Sequence, residues 1–180
     1  WAALQLGAKF IHGIDVEKRT TKRCIELFSK EEISTSKYKF ETSNILEFLE
    51  GVEKNSFDTV FCFGILYYMT EPYRLLKLMA RAAKETVLID TFSTSYSAVQ
   101  GKDAPRTHPH LTNQILGLPL MISCPTQTEK KDDNLPEYFN RKGLNLSLTT
   151  LPTHAMLELW FESLGLSWEP MDWSNHITRP

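Results

Sequence analysis

Apolar and polar positions in the first half of the chain switch between two periods. Lys9 to Asp15 is a short, mostly apolar run that closes on a carboxylate, the length and ending of a strand. In Glu17 to Lys30, Cys24, Ile25 and Phe28 fall at i, i+1 and i+4 while the lysines and arginines point elsewhere, which predicts a helix. Tyr38 to Thr42 alternates polar and aromatic residues as a strand does, and Phe57 to Phe63 reads as a buried strand running into Gly64-Ile65-Leu66-Tyr67-Tyr68. Thr70 is the predicted N-cap of the next helix, with Pro72 in its first turn, where a missing N–H costs nothing. From that start Leu75, Leu76, Met79, Ala82 and Ala83 form a stripe for packing on a sheet, leaving Lys77, Arg81 and Lys84 in water. Thr86 to Phe92 supplies another strand. Such alternation implies parallel strands joined by right-handed crossovers, so the expected fold is α/β with a doubly wound, mostly parallel sheet.

The regularity stops at Phe92. Up to about Thr149 the chain holds Pro105, Pro109, Pro119, Pro125 and Pro136 and the charged run Glu129 to Asp133, a density of proline that excludes a long helix or a central strand. This predicts one domain over 1–180 with an irregular insertion at about 93–149, containing a short helix around Leu111 to Leu116 and a strand at Leu144 to Leu148. An ordered insertion at the carboxyl edge of a sheet is a natural lid or substrate-binding wall. Thr153 then caps a helix whose apolar face is Met156, Leu157, Trp160, Phe161 and Leu164; Gly165 ends it, and Leu166 to Met171 is expected to return as a strand.

Composition narrows the picture. With 180 residues, 42% of them hydrophobic, the chain has enough apolar material for one core and little for two. A formal charge of -2 offers no overall attraction to nucleic acid or to an anionic membrane. The longest uncharged apolar run, Thr59 to Met69, falls short of the ~20 residues a spanning helix needs, so a cytoplasmic protein is expected. The three cysteines, Cys24, Cys62 and Cys124, lie far apart and suggest neither a disulfide framework nor a metal site.

Ligands of open parallel sheets bind outside the carboxyl ends of the strands, which directs attention to Asp15 and to the segment Phe63 to Tyr68. A strand-end carboxylate can accept two hydrogen bonds from a vicinal diol such as ribose. The stretches GAKFIHGIDVEKR, FETSNILEFL, SFDTVFCFGILYYMTEPYRLLKLMARAAKETVLIDTF and LPTHAMLELWFESLGL, in this order and spacing, resemble the second strand through the helix before the sixth strand of class I S-adenosylmethionine-dependent methyltransferases. The resemblance runs from about Leu6 to about Trp173. It departs at the start, because the family's first strand and glycine-rich loop are expected before Trp1 and no two glycines here stand as G-x-G.

The resemblance implies S-adenosyl-L-methionine as cofactor, with Asp15 on the ribose diol, Val16 beside the adenine, Asn44 and the Ile45 N–H at the adenine edge, and Phe63, Gly64 and Tyr67 along the methionine portion. Methyl transfer is an in-line displacement in which the leaving sulfide needs no proton, so alignment and exclusion of water matter most and few side chains are obligatory. Tyr68 faces the acceptor in this reading. Related enzymes carry histidine at its position, and His108 and His110 in the insertion are the candidate bases that replace it. Asp15 as a turn acid, Asn44 as a turn residue, the tyrosines as core and the two histidines as plain surface are the alternatives. No metal is called for.

Three functions follow. One is a methyltransferase with a small-molecule acceptor, favoured by the acidic balance and the insertion. Another is a tRNA wobble-uridine modifying transferase, since FGILYYMTEP and SLTTLPTHAMLELWFESLGL distantly resemble the family that forms a carboxymethoxy group there. The third is a catalytically inactive methyltransferase-like partner subunit.

Overall fold

The computed structural model describes residues 1–94, 117–127 and 139–171. After a short helix α1 (Ala2–Gln5) come two strand–helix–strand units: β1 (Ile11–Asp15), α2 (Lys18–Lys30) and β2 (Tyr38–Thr42), then, beyond α3 (Ile45–Glu50), β3 (Phe57–Phe63), α4 (Pro72–Ala82) and β4 (Ala83–Asp90). Both pairs are parallel, as the alternation predicts. β1 and β2 run in register from Ile11 opposite Tyr38 to Asp15 opposite Thr42, and β3 and β4 from Phe57 opposite Ala83 to Phe63 opposite Asp90, with one irregularity between Phe57 and Thr59.

The expected single sheet is not what the backbone forms among the described residues. β1 pairs only with β2 and β3 only with β4, giving two separate two-stranded sheets. Side chains bridge them instead: the His12 ring on β1 lies 5.0 Å from Phe48 on α3 and 6.1 Å from Phe57 at the start of β3. Glu41 on β2 accepts a hydrogen bond from His12 and pairs with Lys39 at 2.7 Å, and these two contacts, Lys39's first, hold its carboxyl below the usual carboxylate range.

The core lies under β3 and α4. Leu49, Cys62, Leu66, Leu75, Leu76, Met79 and Ala82 are buried together, and Leu157, Trp160, Phe161 and Leu164 pack against them. The predicted α4 stripe is therefore the buried face. Its start differs: Glu71, not Thr70, is the N-cap, and Pro72 opens the helix. The proline ring disfavours helical geometry in the residue before it, so no turn can begin earlier than Pro72. On α2 the buried residues are Thr21 and Phe28, two turns apart, with Phe28 edge-on to Tyr38 and Phe40 at 4.9 Å each; Ile25, rotated off that face, is exposed. β3 is also less enclosed than its composition suggests, with Phe61 and Phe63 about half exposed on the face opposite buried Cys62.

Part of the insertion is regular. β5 (Met121–Gln127), β6 (Phe139–Arg141) and β7 (Leu144–Pro152) form an antiparallel sheet in the order β5-β7-β6. Proline did not prevent it, because Pro125 lies in β5, an edge strand that pairs on one side only. Lys142 and Gly143, both with positive φ, make the tight turn between β6 and β7. The predicted helix at 111–116, like His108 and His110, lies outside the described residues. Thr153 caps the last helix, α5 (His154–Ser163), by accepting from the Met156 N–H, and Gly165 at φ 67 ends it, with the Gly165 and Leu166 N–H groups donating to the Glu162 and Phe161 carbonyls. Leu166 to Met171 is not a strand. It pairs with nothing in the sheets, Pro170 lacks an N–H, and Trp168 turns back to within 6.0 Å of the Phe161 ring. Among the described residues no helix is long and apolar enough to cross a membrane.

Candidate active site

Two strand-end clusters carry the residues expected to do chemistry. At the first, Asp15 ends β1 and its Oδ1 accepts from the Glu17 N–H at 2.7 Å, fixing the turn into α2. The carboxylate is only half buried. Since an ionised carboxyl accepts at about four lone-pair sites, Oδ2 remains available to hydroxyls outside the strand end. The Ser43 N–H donates to the Asp15 carbonyl at 3.0 Å and so draws the turn after β2 alongside. Asn44 follows in that turn as the N-cap of α3, its Oδ1 accepting from the Leu46 N–H at 2.9 Å. Capping explains asparagine here on local grounds, with its NH₂ and a second lone pair left over. Ile45 opens α3, where a backbone N–H has no partner within the helix. Val16, half buried, connects Asp15 to the α2 turn.

The second cluster stands beyond β3 and β4. Gly64 continues the pairing past Phe63, its N–H donating to the Asp90 carbonyl at 3.0 Å, and then adopts a left-handed φ of 69 that a side chain would strain. That bend leads into the short turn Leu66–Tyr68, pinned by fully buried Leu66. Tyr67 folds back over Gly64, so that a Cβ at Gly64 would meet its hydroxyl at 3.7 Å. Its ring lies 4.3 Å from Tyr68 and 4.7 Å from Phe92, between the two. Burial, then the hydrogen bond with Tyr68 and the charge of Asp90, pushes the Tyr67 phenol up to about 12. Tyr67 is therefore a neutral donor over the physiological range, and Tyr68 the more exposed of the two.

The antiparallel sheet closes one side of this cluster. β7 packs against the Leu66–Tyr68 turn, and buried Thr94, just after Phe92, donates through Oγ1 to the Leu151 carbonyl of β7 at 2.8 Å. The strand predicted at Leu144 to Leu148 is the first part of β7, and Phe92 reads in the sequence only as a strand end; what sequence reading missed is that both meet the Tyr67–Tyr68 turn. Phe92 stands two residues past the strand-end Asp90, which was the available signal; β7 pairs with strands far away in the chain, and periodicity carries no such information.

One basic residue of α4 is employed differently than expected. Arg81 does not sit free in water: its Nη2 donates to the carbonyls of Leu49 at 2.6 Å, Glu50 at 3.2 Å and Val52 at 2.9 Å, capping the end of α3. Lys84 pairs loosely with Asp58 at 3.8 Å. His154 is exposed, as expected of the first turn of a helix.

Comparison with known proteins finds a match to the methyltransferase domain family over residues 2–143. Among solved structures the chain is similar to an arsenic(III) S-adenosylmethionine methyltransferase from Chlamydomonas reinhardtii, at 16% identity and a TM-score of 0.44 over 84% of this chain, and it spans 57% of that enzyme's length. It is also similar to the YcgJ protein of Bacillus subtilis, at 10% identity and a TM-score of 0.41 over 80% of each chain. No curated protein sequence matches it. The family match over most of the chain agrees with the two parallel strand–helix–strand units and the site at their ends: the chain belongs to the methyltransferase domain family, a Rossmann-like α/β group within the class I superfamily whose cofactor is S-adenosylmethionine.

Proposed function

We propose that the protein is an S-adenosylmethionine-dependent methyltransferase acting on a small-molecule acceptor, with its parallel pairs belonging to one doubly wound sheet. The observation that carries the reading is the Asp15 carboxylate, held by its turn yet with acceptor capacity free, beside the Asn44–Ile45 turn. A ribose diol suits Oδ2, and an adenine edge suits the Ile45 N–H with the spare lone pair of Asn44, while Val16 offers an apolar contact. Phe63, Gly64 and Tyr67 line the methionine side. When bound, the cofactor supplies an electrophilic methyl on a sulfonium. The chain's part is to align the acceptor in line with it and to exclude water.

The wall that β7 builds against the Tyr67–Tyr68 turn supports a small acceptor, since it narrows the site on that side. Tyr68, His108 and His110 are the groups proposed to position the acceptor or take its proton. Tyr67 is not among them, because a phenol held near 12 is no base at neutral pH. The engagement of Arg81 with α3 argues against a tRNA acceptor by occupying a cation that such a surface would use. Titration calorimetry of the protein with S-adenosylhomocysteine tests the cofactor half: Asp15→Ala is expected to weaken binding by about 1.5–3 kcal/mol, the loss of hydrogen bonds to a charged acceptor. Equal affinities would remove Asp15 from the site.

A further inference from the structure

β2 has an open side. It pairs with β1 alone, so among the described residues the N–H and C=O groups on its other edge, from Tyr38 to Thr42, meet no second strand. Beside that edge a groove of about 410 Å³ runs between β2 and α2, with Lys22, Ile25 and Glu26 on one wall and Phe40 and Thr42 on the other. No residue of β1 lines it, which places it on the outer flank of the strand pair. Ile25 belongs to the apolar pattern of α2 yet is 43% exposed, and Phe40 is only half buried although its ring meets Phe28. An unpaired strand beside an unfilled apolar groove suits an added strand, whose backbone pairs with β2 while side chains enter the groove.

The charges on β2 identify that strand. Lys39 and Glu41 stand on either side of Phe40 and project from the opposite face, where they pair with each other at 2.7 Å and both remain partly exposed. A second β2 laid antiparallel with Phe40 opposite Phe40 sets Lys39 against Glu41 on each side of the centre, whereas a parallel copy in register sets like charges together. The strand is thus complementary to itself in one direction only. We infer that β2 pairs antiparallel with β2 of a second copy of this chain, about a two-fold axis at Phe40, joining the two β1–β2 pairs in one sheet. The axis puts both α2 helices on one face, so that Ile25 and Phe40 of each copy fill the groove of the other, with Lys22 and Glu26 supplying opposite charges beside it. Packing between the helices is needed, because a five-residue strand alone falls well short of the ~1,200 Å² that specific interfaces bury. The same register brings the second copy alongside Ser43, next to the Asn44–Ile45 turn.

Charge swaps test the register. Sedimentation velocity over a concentration series should show wild-type protein associating in pairs. Lys39→Glu and Glu41→Lys should each weaken that association at least about 10-fold, since the two-fold axis repeats every like-charge contact. An equimolar mixture of the two variants should restore it, as a mixed pair in which opposite charges meet again. Ile25→Lys, at an exposed helix position, should weaken it too, and does so without touching the contacts that Lys39, Glu41 and His12 make within one copy. Association that none of the three variants alters runs through another surface and overturns the inference, and so does a mixture of the two charge variants, each folded, that stays apart. Wild-type protein that remains monomeric overturns it as well, and leaves the edge and groove to a strand of another protein or to a small molecule.

Discussion

Cys62, the last-but-one residue of β3, is 2% exposed among Leu66, Leu75 and Met79, and burial pushes its thiol up to about 11. A thiol whose folded pKa lies above its unfolded value contributes stability that is complete below about pH 9 and is lost as the pH rises through about 11. At 1.36 kcal/mol per pKa unit the full loss is roughly 2–3 kcal/mol. Urea melts at pH 8 and pH 10.5 should therefore show a steeper fall for the wild type than for Cys62→Ala, which starts lower because of its cavity but has no thiol to ionise. The same burial makes Cys62 the last of the three cysteines to react with a thiol reagent, and its labelling should track unfolding.

At the scale of elements, side chains that join two segments matter more than those that serve one. Thr153 is fully buried, and its hydroxyl accepts from the Met156 N–H at the start of α5, donates to the Leu118 carbonyl at 2.6 Å and stands 3.1 Å from the Leu120 N–H. Thr153→Ala removes a cap and the hydroxyl's bond to the Leu118 carbonyl, which keeps the Leu120 N–H as a donor, for an expected loss of about 1–2 kcal/mol, with Thr153→Ser recovering most of it in urea melts. Arg81→Met should cost about 1–3 kcal/mol for its unmade bonds to the carbonyls ending α3, where Arg81→Lys, with a single ammonium, recovers only part. The cap at Thr153 was legible in the sequence because it depends on the residues that immediately follow. So were the α4 stripe, both parallel pairs and the end of α5 at Gly165. Arg81 was misread as a solvated charge since its partners lie some thirty residues earlier, and β5 was hidden because Pro125 looks prohibitive until its strand is known to be an edge. In the site, Asp15 and Gly64 stood out by their strand-end positions, whereas the capping role of Asn44 and the contact between Tyr67 and Phe92 appear only when the turns close.

For the whole molecule, charge and sheet pairing lead to separate expectations. With a formal charge of -2 and Arg81 turned onto α3, affinity for tRNA should be no more than the ~10⁻⁴ to 10⁻⁶ M of non-specific binding at physiological salt; filter binding that depends on the anticodon and is far tighter would restore the wobble-uridine reading. The pairing argument is stronger. β1 and β3 each have a partner on one side only, and on their other sides no ladder joins them among the described residues. An unpaired edge is a template for another strand, and here Phe10, Phe61 and Phe63 add half-exposed aromatic surface near it. Open parallel edges are difficult to sustain where they are buried, because each buried backbone group left unpaired costs ~1–3 kcal/mol against a typical total stability of ~5–15 kcal/mol. A polypeptide of residues 1–180 should therefore self-associate through these edges and unfold over a broad urea range. Sedimentation velocity and a urea melt check both, and a monomer with one sharp transition would mean that the edges of β1 and β3 are covered from within these residues.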